Sequence, residues 1–205
     1  MFIGIYNKST IITYLGITSS MIGIYLALNN NVRYALLCLI IAGVCDIFDG
    51  KVARMCKRTE MEELFGVQID SLADMISFCA FPIIIFYGLG LNSWYHIGLY
   101  TLFTLAAITR LGFFNVNALE VNKDKSANYY SGLPVTFVAL IFPIAWLLSF
   151  CLKANIFSLI YTIIILIVTI LFVANIKIKK PAGNDYAIIG IIAIVMSLII
   201  IFVGV

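Results

Sequence analysis

The string CDIFDGKVAR, residues 45–54, closes one long apolar run, and FGVQIDSLAD, residues 65–74, opens the next. Between them they place four carboxylates, Asp46, Asp49, Asp70 and Asp74, at the edges of sequence apolar enough to lie in a bilayer. An ionised carboxylate is costly there and is kept for function. The two members of each pair are three or four residues apart, which on a helix puts them on one face. Two such faces joined by a connector can meet at the membrane surface and form an oxygen-rich cage suited to hard divalent cations.

The rest of the chain fits that setting. Of its 205 residues, 63% are hydrophobic and 11% charged, against roughly half and about a quarter in a soluble domain. One core cannot hide that much apolar surface, so lipid is the expected solvent and an integral, multi-pass membrane protein the expected class. The net charge of +3 is too small to suggest a nucleic-acid partner, and none is expected. Windows long enough to cross ~30 Å of hydrocarbon pick out spans near 10–29, 33–55, 66–87, 94–116, 133–152, 155–176 and 186–204. The connectors are polar, and the charged stretch 57–63 reads as a surface loop. No small-residue cleavage site follows Lys8, so the first span is expected to stay as an anchor. Cysteines 38, 45, 56, 79 and 151 form no CxxC pair and read as reduced fillers. His96, beside Trp94 and Tyr95, reads as structural in an interfacial cluster.

With the N-terminus in the cytoplasm and the spans alternating, 11 of the 13 Lys and Arg residues fall inside and only Arg33 and Lys153 outside. The positive-inside rule favours that orientation. It puts the aspartates at the cytoplasmic face of the cell membrane and the C-terminus outside.

Around the carboxylates, Gly50 leaves room for close approach of a ligand or backbone. Arg54, one turn on, is a phosphate partner, and Gly66 keeps space open one turn before Asp70. The whole pattern is D-x2-D-G-x2-A-R-x11-G-x3-D-x3-D, carried by Asp46, Asp49, Gly50, Ala53, Arg54, Gly66, Asp70 and Asp74. It resembles the signature of the CDP-alcohol phosphotransferases, which join a CDP-activated group to an alcohol and release CMP. The spacer between Arg54 and Gly66 is longer than in many members, and a loop insertion of this kind costs little. The stretches SLADMISFCAFP (71–82), TRLGFFN (109–115) and YYSGLP (129–134) resemble the integral-membrane phosphatidylserine synthases of bacteria.

The resemblance implies an all-α polytopic membrane fold: a six-helix domain over 1–180, with 181–205 adding a seventh, C-terminal transmembrane helix. It implies transfer of the phosphatidyl group of CDP-diacylglycerol to the hydroxyl of L-serine, two divalent cations (Mg2+ or Mn2+) as cofactors, membrane lipid as surroundings and a homodimer. Residue by residue, it makes Asp46, Asp49 and Asp70 metal ligands. Asp74 becomes the general base and touches the second metal. It places the nucleotide near Asp46, Asp49, Gly50, Ala53, Arg54 and Gly66, with Asn7 and Thr10 matching an amino-terminal nucleotide contact. Thr10 also reads as the N-cap of the first helix. Arg110, in an otherwise apolar span, is a candidate for the serine carboxylate, with Asn115 sharing the pocket.

Other readings remain. Glycerol phosphate or an inositol phosphate could be the acceptor, though such acceptors want more cations than Arg54, Arg110, Lys123 and Lys125 supply. An archaeal-type lipid could be the donor. An ion-coupled transporter would want its charges near the midplane and an internal repeat; here the acids gather at one face and no repeat is evident. Gly132-Leu133-Pro134 reads equally as a helix start or a substrate loop, and Lys177, Lys179 and Lys180 as a basic stop at anionic lipid.

Overall fold

The structure, a computed structural model, describes residues 4–56, 58–120, 129–179, 183 and 185–203, and within these not the side chains of Lys8, Arg54, 118–120, Tyr129 and Tyr130. Lys123, Lys125 and Lys180, weighed above as cations, lie outside the described residues, as does Lys57 at the start of the charged stretch.

The first helix, α1 (Lys8–Leu28), is capped by Asn7, whose Oδ1 accepts from the Thr10 N–H and hydroxyl, both at 3.0 Å, and from the Ser9 hydroxyl at 2.8 Å. The cap is therefore Asn7 rather than Thr10, because a cap's side-chain oxygen must reach back to the N–H three residues on. The buried face of α1 is polar and small (Ser9, Thr13, Gly16, Ser20, Gly23), while Ile11, Leu15, Ile22 and Tyr25 point outward. That inversion of a soluble helix suits lipid, where small interfacial residues let backbones approach. A Cβ on Gly23 would collide with Phe81 Cζ and lie 2.8 Å from Cys38 Cβ. The buried hydroxyl of Ser19 donates to the Cys38 carbonyl at 2.9 Å, and that of Ser20 to the Ser77 hydroxyl at 2.8 Å.

After the turn at 29–31, α2 (Val32–Met55) returns antiparallel to α1. Next comes a continuous rod of three pieces: α3 (Glu60–Asp74), a π-helical turn (Met75–Ala80) and α4 (Phe81–Gly88). Residues 60–63 are thus helical rather than loop. Thr59 and Glu62 form a reciprocal capping box, and Glu60, Glu62 and Glu63 sit in the first turn, where the helix dipole favours negative charge. The π turn has a local cause in Pro82, which has no N–H for the Phe78 carbonyl and whose ring crowds it. The helix widens just upstream, with the Phe81 N–H bonding to the Ile76 carbonyl.

The 27-residue α5 (Trp94–Glu120) packs on α7 (Ala154–Val173). Buried His96 holds the far end of that pair. Its Nδ1 accepts from the Ser93 N–H and its Nε2 bonds the Thr162 hydroxyl, each at 3.1 Å. Between them sits an aromatic core in which Phe86 packs edge-on to Phe142 at 4.8 Å and Tyr161 donates to the Phe142 carbonyl at 3.2 Å. A short 3-10 turn (Val135–Phe137) leads into α6 (Val138–Leu147), interrupted by Pro143. Strand β1 (Tyr129–Ser131) pairs antiparallel with β2 (Lys177–Lys179) as a small ribbon, Tyr130 opposite Ile178. Gly132, at φ +78°, lies so close to the end of α7 that a Cβ would be 2.7 Å from the Phe172 carbonyl oxygen. Its N–H donates to the Ile176 carbonyl and that of Leu133 to the Leu171 carbonyl, at 2.8 and 2.9 Å. Finally α8 (Asp185–Phe202) lies against α2 and α6.

The described residues thus form an all-α membrane fold. Five helical stretches are long and apolar enough to cross a bilayer: Ser9–Leu28, Glu60–Gly88, Trp94–Asn117, Ala154–Val173 and Asp185–Phe202. Helix α2 has the length but carries Arg33, Asp46, Asp49, Lys51 and Arg54. The stretch Val135–Phe150 is apolar but short. These two less regular members carry much of the candidate site. The outward faces are strongly apolar, as on α7 with Ile163, Leu166, Ile167 and Ile170, which is what a bilayer solvates.

Candidate active site

The connector between α2 and α3 turns the chain so that the aspartate faces meet. One carboxylate oxygen from each of Asp46, Asp49 and Asp70 lies within 4.8 Å of the others. Asp74 stands behind this trio, almost wholly buried, in hydrogen-bond contact with the Asp46 carboxyl. Asp74 is also the last residue before the π turn. Two hydroxyls from other helices orient the carboxylates. The Thr13 hydroxyl of α1 donates to Asp49 Oδ2 at 2.6 Å, and that of Thr136, in the turn before α6, to Asp46 Oδ2 at 2.8 Å. Gly132 and Pro134 explain how Thr136 gets there: one fits tightly against the end of α7, and the other turns the chain into the site.

The remaining expected residues are distributed unevenly. Gly50 lines the cleft beside the carboxylates, and a Cβ there would meet nothing within 4 Å. Gly66 is covered by Arg58, whose Nη1 would be 3.3 Å from a Cβ. Ala53 is half-buried, and the Arg54 side chain lies outside the described residues. Arg110 is buried and near enough to Asp46 for their charges to interact. Asn115 accepts from the Ser71 hydroxyl at 2.8 Å, one residue from Asp70. Asn7 and Thr10 bond each other at the cap of α1 and do not line the cleft, although Thr13, one turn on, touches Asp49.

The trio opens into a cleft of about 250 Å3 that runs between α2, α6 and α8. Its polar end is Asp46, Asp49, Asp70 and Thr136; the remainder is apolar, with Ile40, Val44, Leu140 and Ile189 among its walls. Carboxylates this close repel one another, and hard oxygen donors in a cluster fit divalent cations such as Mg2+ or Mn2+. The donor set of Asp46, Asp49 and Asp70 therefore could hold metal.

Sequence reading missed Thr13, Thr136, Ser71 and Tyr186. Thr13 carries a trace, being part of the hydroxyl and small-residue stripe Ser9, Thr13, Gly16, Ser20. Thr136 carries none beyond following Pro134.

Comparison with known proteins converges on one group. The family model for CDP-alcohol phosphatidyltransferase matches residues 6–203. Over 112 residues, 52% of this chain and 40% of the relative, it is 36% identical to a CDP-diacylglycerol–serine O-phosphatidyltransferase of Saccharomyces cerevisiae. Over 174 residues, 84% of this chain and 70% of the relative, it is 28% identical to an archaetidylserine synthase of Methanothermobacter thermautotrophicus. A CDP-diacylglycerol–serine O-phosphatidyltransferase of Mycobacterium tuberculosis is 28% identical over 125 residues, 60% of this chain and 42% of the relative. The chain thus spans well under two thirds of the yeast and mycobacterial proteins.

Proposed function

The chain belongs to the CDP-alcohol phosphatidyltransferase family, and from that premise we propose that it transfers the phosphatidyl group of CDP-diacylglycerol to L-serine. The observation that carries the proposal is the shape of the site. Three clustered carboxylates stand at the polar end of a cleft whose other walls are apolar. A lipid nucleotide has that polarity, with its pyrophosphate at one end and its hydrocarbon at the other.

In the reaction the serine hydroxyl oxygen bonds to the phosphatidyl phosphorus, the bond from that phosphorus to the CMP oxygen breaks, and CMP leaves. Asp74 takes the serine hydroxyl proton, a role that needs approach to about 2.6–3.2 Å. Bound at Asp46, Asp49 and Asp70, and reached by Asp74, two divalent cations, Mg2+ or Mn2+, would neutralise the pyrophosphate and stabilise the departing phosphate. Thr13 and Thr136 hold Asp49 and Asp46 in orientation. Gly50, Ala53, Arg54 and Gly66 receive the nucleotide, with Asn7 and Thr10 at its edge. Arg110 meets the serine carboxylate, and Asn115 shares that pocket. The positive-inside distribution supports a site that faces the cytoplasm. A homodimer belongs to the same proposal and is read by light scattering of the protein in detergent.

Serine is favoured as acceptor because the yeast, mycobacterial and archaeal relatives all carry it in their names. The donor has a second reading. The archaeal relative matches the larger share of the chain, and an apolar cleft accepts isoprenoid as well as acyl chains. The test is CMP release by the purified protein with CDP-diacylglycerol or its archaeal counterpart, with and without L-serine. Asp74→Asn should lower the serine-dependent rate by about 10²–10⁴-fold. Equal release by the variant would remove Asp74 from the chemistry. Release only with glycerol phosphate or an inositol phosphate would replace the acceptor.

A further inference from the structure

The resemblance sets α8 apart from a six-helix domain over 1–180, yet α8 falls within the family match and forms a wall of the cleft. Tyr186, Ile189 and Ala193 face the cavity from one side of α8. Most of the helix faces outward, with Ile188, Ile191, Ile194 and Leu198 exposed. Two contacts tie its ends to α2. At the far end, Arg33 Nε donates to the Ile200 carbonyl at 2.7 Å, and Nη2 donates to the Ile201 carbonyl. These carbonyls belong to the last turn of α8, where a cation also complements the dipole. At the aspartate end, Lys51 Nζ stands 6.0 Å from the centre of the Tyr186 ring. Between these fastenings α8 bridges the open side of the cleft. The opposite side is shut, since Gly43 and Ala139 bring α2 and α6 together so closely that a Cβ on Gly43 would be 2.6 Å from that of Ala139.

The depth of the cleft fits a particular occupant. It runs along α2 from Asp49 to Ile40, nine residues, or about 14 Å of helix. Half of a ~30 Å hydrocarbon core, the depth of one leaflet, is about 15 Å. The cleft therefore starts at the carboxylates and extends along α2 for a length comparable to the depth of one leaflet. Ala193 is 4% exposed and stands near the apolar end.

We propose that α8 is the selectivity wall for the lipid donor: one hydrocarbon chain lies between α2, α6 and α8, and Ala193 sets how long and how bulky that chain can be. The inference rests on the transferase reading above and goes beyond it, because it assigns a role to a helix that touches none of the reacting atoms.

The test compares CMP release from a dihexanoyl donor, whose chains end short of Ala193, with release from a dioleoyl donor. In Ala193→Leu the ratio of kcat/KM for the long donor over the short one should fall by about tenfold or more, the scale on which hydrophobic pockets reject extra methylenes. Leu198→Phe, on the exposed side of α8, should leave that ratio unchanged. An unchanged ratio in Ala193→Leu, with CMP still formed, overturns the role of α8. No CMP from the wild-type chain with either donor or any acceptor instead rejects the transferase reading. A second measurement needs no variant. A donor with a mid-chain diazirine should label wild-type protein within 186–193, and excess unlabelled donor should compete. Competed labelling confined to other helices overturns the proposal even if Ala193→Leu fails to fold.

Discussion

At the scale of single residues, two of the four aspartates, Asp46 and Asp49, are held by hydroxyls that reach them across the bundle. Thr136 is 90 residues from Asp46 in sequence and Thr13 is 36 from Asp49. A carboxylate that must offer a lone pair to a cation gains from having its other oxygen fixed, and loss of such an outer partner typically costs about 10–100-fold in metal affinity. Thr136→Val should therefore raise the Mn2+ concentration needed for half-maximal CMP release by about that factor. Thr136→Ser, which keeps the hydroxyl, should restore it. An unchanged metal requirement in Thr136→Val would show that the hydrogen bond does not position Asp46. The contrast between these threonines and the aspartates also shows what sequence can reveal. Charged groups in apolar sequence are conspicuous, and their spacing within two neighbouring helices puts them on shared faces without any knowledge of packing. A threonine in an apolar helix is ordinary. What makes Thr13 and Thr136 special is which helix lies opposite, and local periodicity does not contain that.

At the scale of elements, hydropathy located the seven helical segments, because a segment dissolved in lipid must bond its backbone internally and be apolar over a fixed length. It located their ends less well. The charged stretch before Asp70 looked like a loop, yet residues 60–63 are the first turn of α3, fixed by Thr59 and Glu62. The π turn after Asp74 had a visible cause, Pro82, but a proline says only that a helix is disturbed, not that it widens. The tripeptide Gly132-Leu133-Pro134 offered two readings, and the structure gives it a packing reason. Gly132→Ala must place a Cβ 2.7 Å from the Phe172 carbonyl oxygen at φ +78°. Strain and overpacking of this kind cost about 1–3 kcal/mol. At roughly 2–4 °C per kcal/mol for a chain of this size, the apparent Tm in detergent should fall by several degrees. A Tm equal to wild type would mean that β1 and α7 separate freely.

At the scale of the whole molecule, the chain has two chemically different ends. The clustered aspartates, Arg110 and Asn115 lie toward one, and Arg33, His96 and Lys153 toward the other. Two exposed cysteines, Cys56 and Cys151, mark these ends and report the orientation. A membrane-impermeant maleimide added to intact cells should label a chain that keeps only Cys151 and spare one that keeps only Cys56. The reverse pattern would put the aspartates outside and contradict the cytoplasmic assignment. The place of α8 is the feature least legible in sequence. Apolar helices look alike to hydropathy, and local periodicity does not say which neighbour one packs against, so the bond from Arg33 to the end of α8 is visible only in the structure.

The central proposal is that the clustered aspartates and the apolar cleft together join a lipid nucleotide to serine. The most direct test follows radiolabelled L-serine and CMP in the same reaction of purified protein, CDP-lipid donor and Mn2+ or Mg2+. Label should enter the lipid phase in one-to-one proportion with CMP, and neither product should form when the divalent cation is chelated. CMP formed without serine entering lipid, or label transferred equally well without the cation, would contradict it.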